Sequence, residues 1–365
     1  MTTDLAERLA ALTLELLAVP SVTGAEDAIA GRVLARAAER GCEVRRHGNS
    51  VVAHRFGTGP AIGLFGHLDT VSPADDQPVG RRGDRILGCG ASDMKAGLAV
   101  MLDLADGGPV AAGSWPVDLW MVFYDREEGP YENNGLRAIL PLLPRLDLAV
   151  ALEPTGNIVQ AGCMGGLHAQ VSFRGQRAHS ARPWQGRNAI YGALGVLKRL
   201  AECSPREVRF AGLPFYEVMS ATMAATANSR NVIPDSFVVN VNVRFAPGRT
   251  AAEAASELEA LVAGEAEVTI VDTAPAGAVS VDQPLLAGWI HRHGLEVEPK
   301  QAWTDVAQLT AAGIPAVNFG PGDPAQAHQA GEGVAVSALV RCHELLSDLL
   351  FGTSSSPGRE GSVQG

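Results

Sequence analysis

Four short apolar runs, each leading into a histidine or a carboxylate, narrow what this chain can fold into. The first, Ala61 to Phe65, passes through Gly66 into His67-Leu68-Asp69-Thr70. Val117 to Tyr124 runs into Asp125-Arg126-Glu127-Glu128-Gly129. Leu146 to Leu152 ends at Glu153-Pro154, and Ile314 to Phe319 leads into a loop that carries His328. Runs this short and this apolar suit strands buried on both faces, as in a parallel sheet covered by helices. Helical patterns lie between them. Leu5, Leu9, Leu12 and Leu16 share one stripe in 4–18; Glu26 to Arg40 follows and stops at Gly41; Met94 to Leu102 is strongly apolar; 285–293, 305–312 and 336–350 complete the set. Strands are also expected at 42–46 and 50–55, the second polar enough to lie near a sheet edge. The fold class that results is α/β, a mostly parallel sheet with helices on both faces.

The texture changes near residue 165. His168, Gln170, Ser172 and Arg174 alternate with Ala169, Val171 and Phe173, the period of a half-buried strand. A helix over 188–201, strand-like stretches near 206–211 and 217–225, and a second alternating strand over 239–245 come next. Thr250 and Glu253 form a capping box that opens a helix to about Val262, and 267–271 is a last strand. This is an α+β unit of βαββαβ type with one polar sheet face. After Pro275 the α/β texture returns, so the second unit is inserted into the first. The expected divisions are 1–165 and 275–352 for the α/β domain, 166–274 for the insertion, and a polar, disordered tail over 353–365.

Composition removes several classes of function. A net charge of −11 argues against nucleic acid or an anionic membrane surface as partner. Five cysteines without Cys-x-x-Cys spacing point to neither a disulfide framework nor a thiolate metal site. The N-terminus lacks a signal-peptide pattern and no apolar run approaches the ~20 residues of a membrane span. The expectation is a cytoplasmic protein.

Ligand sites in open α/β sheets lie beyond the carboxyl ends of the strands. Applied here, that rule gathers His67 with Asp69, Glu127 with Glu128, Glu153, and the loop of His328, with Asp93 at a helix start after Gly88-Cys89-Gly90. Each has a bland reading alone: a structural His-x-Asp pair, a solvated Glu-Glu run, a turn carboxylate, an exposed histidine. Together they suit a divalent metal that accepts nitrogen and oxygen, zinc first, then cobalt or manganese. One divalent ion would leave three clustered carboxylates under-neutralised, which favours two ions. Such a pair can lower the pKa of a water and polarise a carbonyl, with Glu127 left to carry the proton. A nucleotide site at Gly88-Cys89-Gly90 is disfavoured, because the third fingerprint glycine and a Walker lysine are missing. A metal-free binding protein is the remaining alternative from another class.

The stretches Gly66-His67-Leu68-Asp69-Thr70-Val71, Ala91-Ser92-Asp93-Met94-Lys95-Ala96-Gly97, Glu127-Glu128-Gly129, Glu153-Pro154-Thr155 and His328 with Glu332 and Val334 carry a resemblance. They are similar, in order and over nearly the whole chain, to the metallopeptidase family of desuccinylases, acetylornithine deacetylases, aminoacylases and zinc carboxypeptidases. The resemblance implies a bridging role for Asp93 between two metal ions, a cis Asp93–Met94 peptide, and His67 and Glu153 on one ion with Glu128 and His328 on the other. It implies Glu127 as general acid/base and Asp69 as the partner of His67. The insertion resembles the family's lid and dimerisation domain, which implies a homodimer. There Gly175-Gln176-Arg177-Ala178-His179-Ser180 implies a His179 that reaches the partner's site, and Asn231 and Arg244 match substrate-binding positions. Ala178 to Trp184, Trp303-Thr304-Asp305-Val306-Ala307 and Asn318 to Asp323 look most like the desuccinylase branch. That branch implies N-succinyl-L,L-diaminopimelate, a small N-acyl amino acid of lysine synthesis, as substrate. Where many desuccinylases have an arginine before the lid, this chain reads Gly162-Cys163-Met164-Gly165-Gly166, so acetylornithine or an acylated lysine precursor is the alternative.

Overall fold

The computed structural model describes residues 2–74, 77–106 and 115–352. The tail expected to be disordered, 353–365, lies outside the described residues. Eight strands form the central sheet, in the order Glu43–His47, Ser50–Arg55, Asp118–Tyr124, Ala61–His67, Leu148–Ala151, Ala316–Asn318, Val159–Ala161 and Val297–Pro299. The four apolar runs that end in histidine or carboxylate sit side by side and parallel. Their carboxyl ends therefore open along one edge, and the residues just beyond each strand emerge there together.

Helices cover both faces of this sheet. Ala96–Leu104 is buried along its whole length, between the sheet and the helices Thr2–Leu17 and Val336–Phe351. Asp103 apart, this helix is apolar all round and has no solvent face to offer, and burying each of Leu98, Leu102 and Leu104 contributes about 1.5–3 kcal/mol. On the other face Leu136, Ile139, Val306 and Leu309 pack against Phe65, Val122 and Tyr124. Ser50–Arg55 lies near the edge as expected, second in the sheet, but Ser50 to His54 are buried. Its polar side chains find partners instead of water: Ser50 Oγ donates to Asp125 Oδ1 at 2.5 Å, and His54 Nε2 lies 2.8 Å from Asp118 Oδ1.

Residues 165–274 build a separate five-stranded antiparallel sheet, ordered Arg206–Phe210, Leu213–Ala225, Ser236–Phe245, Gly165–Arg174 and Glu267–Ala274. It carries one strand beyond βαββαβ, because Arg206–Phe210 turns back on Leu213–Ala225 as an edge hairpin. Phe237, Val239, Val241, Val243 and Phe245 face the helices Leu194–Glu202 and Ala251–Val262 in a core of their own. The second of these helices opens with the expected Thr250–Glu253 capping box. Asn240, Asn242 and Arg244 line the opposite, half-buried face. The chain enters and leaves this sheet through two segments paired to each other: Cys163 N–H donates to Gly277 O at 3.3 Å and Gly277 N–H to Cys163 O at 3.0 Å. Among the described residues, no helix is long and apolar enough to cross a membrane.

Candidate metal centre

His67 closes its strand, and Asp69 lies just beyond it, so their meeting comes from the turn after the strand and not from strand alternation. The imidazole is buried; its Nδ1 bonds the Asp69 main-chain oxygen at 3.0 Å and stands 3.5 Å from Asp69 Oδ1. That fixes the ring and aims Nε2 at Asp93, whose Oδ1 is 3.1 Å away. The carboxylate of Asp69 has further duties. Oδ1 accepts the N–H of Glu127 at 2.9 Å, and Oδ2 accepts the N–H of Glu128 at 3.0 Å and the hydroxyl of Thr23 at 2.9 Å. Burial alone would raise its pKa, but His67 and these backbone donors hold it below the usual carboxylate range. One buried carboxylate thus orients the histidine and both adjacent glutamates.

Asp93 sits in the turn Ala91–Lys95, where it and Met94 leave helical geometry before the helix begins; the Asp93–Met94 peptide is cis. Gly90 makes the turn possible. Its φ is +82°, and a Cβ there would stand 2.6 Å from the Thr70 methyl. The ligand atoms of His67, Asp93 and Glu128 lie within 4.8 Å of one another. His328 joins from the far side, with Nε2 2.8 Å from Glu128 Oε1 and 3.6 Å from Asp93 Oδ2. Its backbone is left-handed, at φ 63°, an uncommon region for a non-glycine residue.

Glu153 follows its strand into the same region. Its side chain is buried, with Oε1 lacking any hydrogen-bond partner among the described residues. Burial, then the charge of Asp93, pushes its pKa up to about 7. Glu127 is likewise held well above the usual carboxylate range, first by burial; His67 counteracts this, while Glu153, Asp305 and Glu128 add to it. Lys300 and His67 offset only part of this crowding, since burial and the neighbouring acids still raise both glutamates, and buried carboxylates left in excess are expensive unless a cation joins them. The orphaned Glu153 oxygen and a donor set of two imidazoles and three carboxylates fit divalent ions, and the centre is a candidate metal site.

The remaining sequence-derived residues lie elsewhere. His179 is exposed on a two-stranded ribbon, Ala178–His179 against Val232–Ile233, and the neighbouring Ser180 N–H donates to Asn231 O at 2.9 Å. Among the described residues, neither His179 nor Asn231 bonds any member of the cluster. Arg244 is half-buried; its Nε donates to Asn242 Oδ1 at 3.2 Å, and among the described residues no carboxylate pairs with it. Cys89 packs its turn, with the thiol directed at Val71 O. Two contributors escape a reading of the sequence. Thr23 gives no signal, since Pro20-Ser21-Val22-Thr23-Gly24 reads only as a helix stop. Glu332 stands at a motif position, but its contacts to the Asp93 turn come from a fold that no spacing discloses.

Three comparisons bear on this geometry. The sequence profile of Peptidase family M20/M25/M40 matches residues 63–351. A Mycobacterium tuberculosis protein provisionally named succinyl-diaminopimelate desuccinylase is 40% identical over 349 residues, covering 93% of this chain and 97% of the relative. The succinyl-diaminopimelate desuccinylase of Corynebacterium glutamicum is 36% identical, covering 93% and 95%. Among solved structures, a tripeptidase of Staphylococcus aureus superposes with a TM-score of 0.79 at 19% identity, covering 94% of this chain and 97% of that one. A dinuclear metal-binding peptidase of Bacillus subtilis does so with a TM-score of 0.69 at 15% identity, covering 95% and 98%. Both share the fold.

Proposed function

The chain belongs to the peptidase family M20/M25/M40, and from that membership we propose that it is a metal-dependent amidohydrolase that cleaves N-succinyl-L,L-diaminopimelate to succinate and L,L-diaminopimelate. Likeness to named desuccinylases over more than nine-tenths of the chain carries the choice of substrate. The cluster at the strand ends supports the chemistry. His67, Asp93 and Glu153 would hold one divalent ion, and Asp93, Glu128 and His328 a second, zinc by preference given imidazole and carboxylate donors. Bound ions would supply Lewis acidity toward the amide carbonyl and ease the deprotonation of water.

The chain's own groups do the rest. Glu127, with its backbone N–H anchored to Asp69, takes the proton of the attacking water and returns it to the leaving amine. Asp69 keeps the His67 ring and both glutamates in register. Arg244, a half-buried guanidinium, takes a substrate carboxylate through charge-assisted bonds, with Asn231 as a further polar contact for the substrate. His179 donates to the amide oxygen of a second copy's substrate, since its own ribbon leaves it exposed; this reading requires a homodimer through the 166–274 sheet. A cytoplasmic location suits five free cysteines.

The test is succinate release by protein loaded with Zn²⁺ or Co²⁺. N-succinyl-L,L-diaminopimelate should turn over far faster than acetylornithine. Preferential deacetylation would move the assignment to the acetylornithine branch, and no hydrolysis of either would remove it.

A further inference from the structure

Glu332 lies 239 residues beyond Asp93 in the sequence, yet its side chain is built into the turn that presents Asp93. Oε1 accepts the N–H of Ser92 at 2.7 Å and of Asp93 at 3.0 Å, and Oε2 accepts the N–H of Gly90 at 3.0 Å. Its main-chain oxygen accepts Gly88 N–H at 3.1 Å, extending the ladder in which Gly333–Ala335 pairs with Arg85–Leu87. Four N–H groups of a six-residue stretch therefore end on one residue, which is itself buried. Without its side chain, three of them would be left without their acceptor inside the protein.

The other end of the same loop is His328. Glu332 N–H donates to Gln329 O at 3.0 Å, a turn that ties the two together. His328 Nε2 faces Asp93 Oδ2 and Glu128 Oε1, whereas Glu332 grips the backbone behind Asp93. One five-residue loop thus touches Asp93 from front and back. The side chain cannot shift without moving the carboxylate shared between His67 and His328.

We infer that Glu332 is a positioning residue for the metal centre: it sets the pose of Asp93, and through it the affinity of both candidate ion sites. The inference rests on the proposed amidohydrolase activity for its consequence in turnover, but not for its effect on metal binding.

Glu332→Gln preserves volume and removes charge, and its amide N–H₂ must face at least one backbone N–H. The full chain, stripped of metal by chelation, is titrated with Co²⁺ alone and followed by visible absorption at a temperature where both proteins are folded by circular dichroism. The wild type should take up two equivalents. Glu332→Gln should bind 10- to 100-fold more weakly, by the usual effect of losing a partner behind the ligands, with an altered absorption band and turnover restored in part by excess metal. A residue that only supports the fold would lower the melting temperature of the metal-stripped protein and leave affinity and band unchanged; that result overturns the inference. If Glu332→Gln does not fold, Glu332→Asp, which keeps the charge on a shorter arm, should show intermediate weakening, and wild-type binding by it overturns the inference equally. Wild-type protein that binds Co²⁺ but releases no succinate removes the functional reading and leaves the titration to decide the role of Glu332. Wild-type protein that binds no Co²⁺ removes both.

Discussion

The central sheet and the inserted sheet hold their candidate residues in opposite ways. At the ends of the parallel strands, His67, Asp93, Glu128, Glu153 and His328 converge within one chain, and each except the loop histidine is largely buried and packed behind. In the inserted unit His179 is exposed on its two-stranded ribbon with Asn231 beside it, and Arg244 on the antiparallel sheet has no charged partner among the described residues. A parallel sheet covered on both sides must terminate its strands along one edge, so the fold itself gathers the side chains at those strand ends. A sheet with one polar face gives no such convergence. Its side chains acquire a task only when a substrate or a second copy closes over them.

The contrast can be broken or sharpened by experiment. The largest effect belongs to Glu127→Gln, which should retain two equivalents of metal and lose about 10²- to 10⁴-fold in kcat, the usual worth of a positioned acid/base. Loss of metal instead would make Glu127 a ligand and erase the division of labour with Glu128. His179→Ala should lose about 10²- to 10³-fold, as for a donor to a developing oxyanion, with metal content intact. Neither variant alone distinguishes a residue acting within its chain from one acting across a dimer. Mixing inactive Glu127→Gln with inactive His179→Ala does. If His179 serves the partner's site, each mixed dimer regains one complete site, and activity should recover to about a quarter of wild type on statistical exchange. No recovery in a demonstrably exchanging dimer would return His179 to its own chain.

Smaller effects probe the edges of the comparison. Arg244→Ala should raise KM by roughly 10-fold or more with little change in metal content, from the loss of a charge-assisted contact; an unchanged KM would leave that arginine a solvated face residue. The scaffold of the central sheet can be tested through Asp103. Its Oδ2 lies 3.1 Å from both His343 Nε2 and Arg8 Nη2, tying the buried helix to the first and last helices. Burial works to raise its pKa, but the bonds from His343 and Arg8 win and hold it at about 2. Because the folded value is depressed, its stabilisation is present above the unfolded value of about 4 and fades as pH falls toward 2. Asp103→Asn should lower the urea midpoint at pH 7 and narrow the gap to wild type at pH 2–3, and a constant gap would contradict the linkage.

Much of the central architecture is legible in the sequence because apolar runs and helical stripes are strong local signals. Ala61–His67, Asp118–Tyr124 and Val336–Phe351 fall within a few residues of where the pattern puts them. Short strands such as Val159–Ala161 and Val297–Pro299 are not legible, since three residues carry too little periodicity to stand out. Ser50–Arg55 lies near the edge as its polarity suggests, but its burial is not legible, because Ser50 and His54 spend their polarity on the half-buried acids Asp125 and Asp118. The roles of Thr23 and Glu332 are invisible for another reason. A hydrogen bond from one side chain to a group far along the chain leaves no spacing to detect.

The Glu332 grip on the Gly88–Asp93 turn also orders events in time. A nascent chain leaves the ribosome from its N-terminus, so the segment around Asp93 emerges long before its acceptor has been synthesised. Until residue 332 arrives, three amide groups destined for one carboxylate have only water to bind. Chains truncated upstream of that point should therefore bind metal poorly however well their early helices form, and the centre becomes competent only once residue 332 has been synthesised.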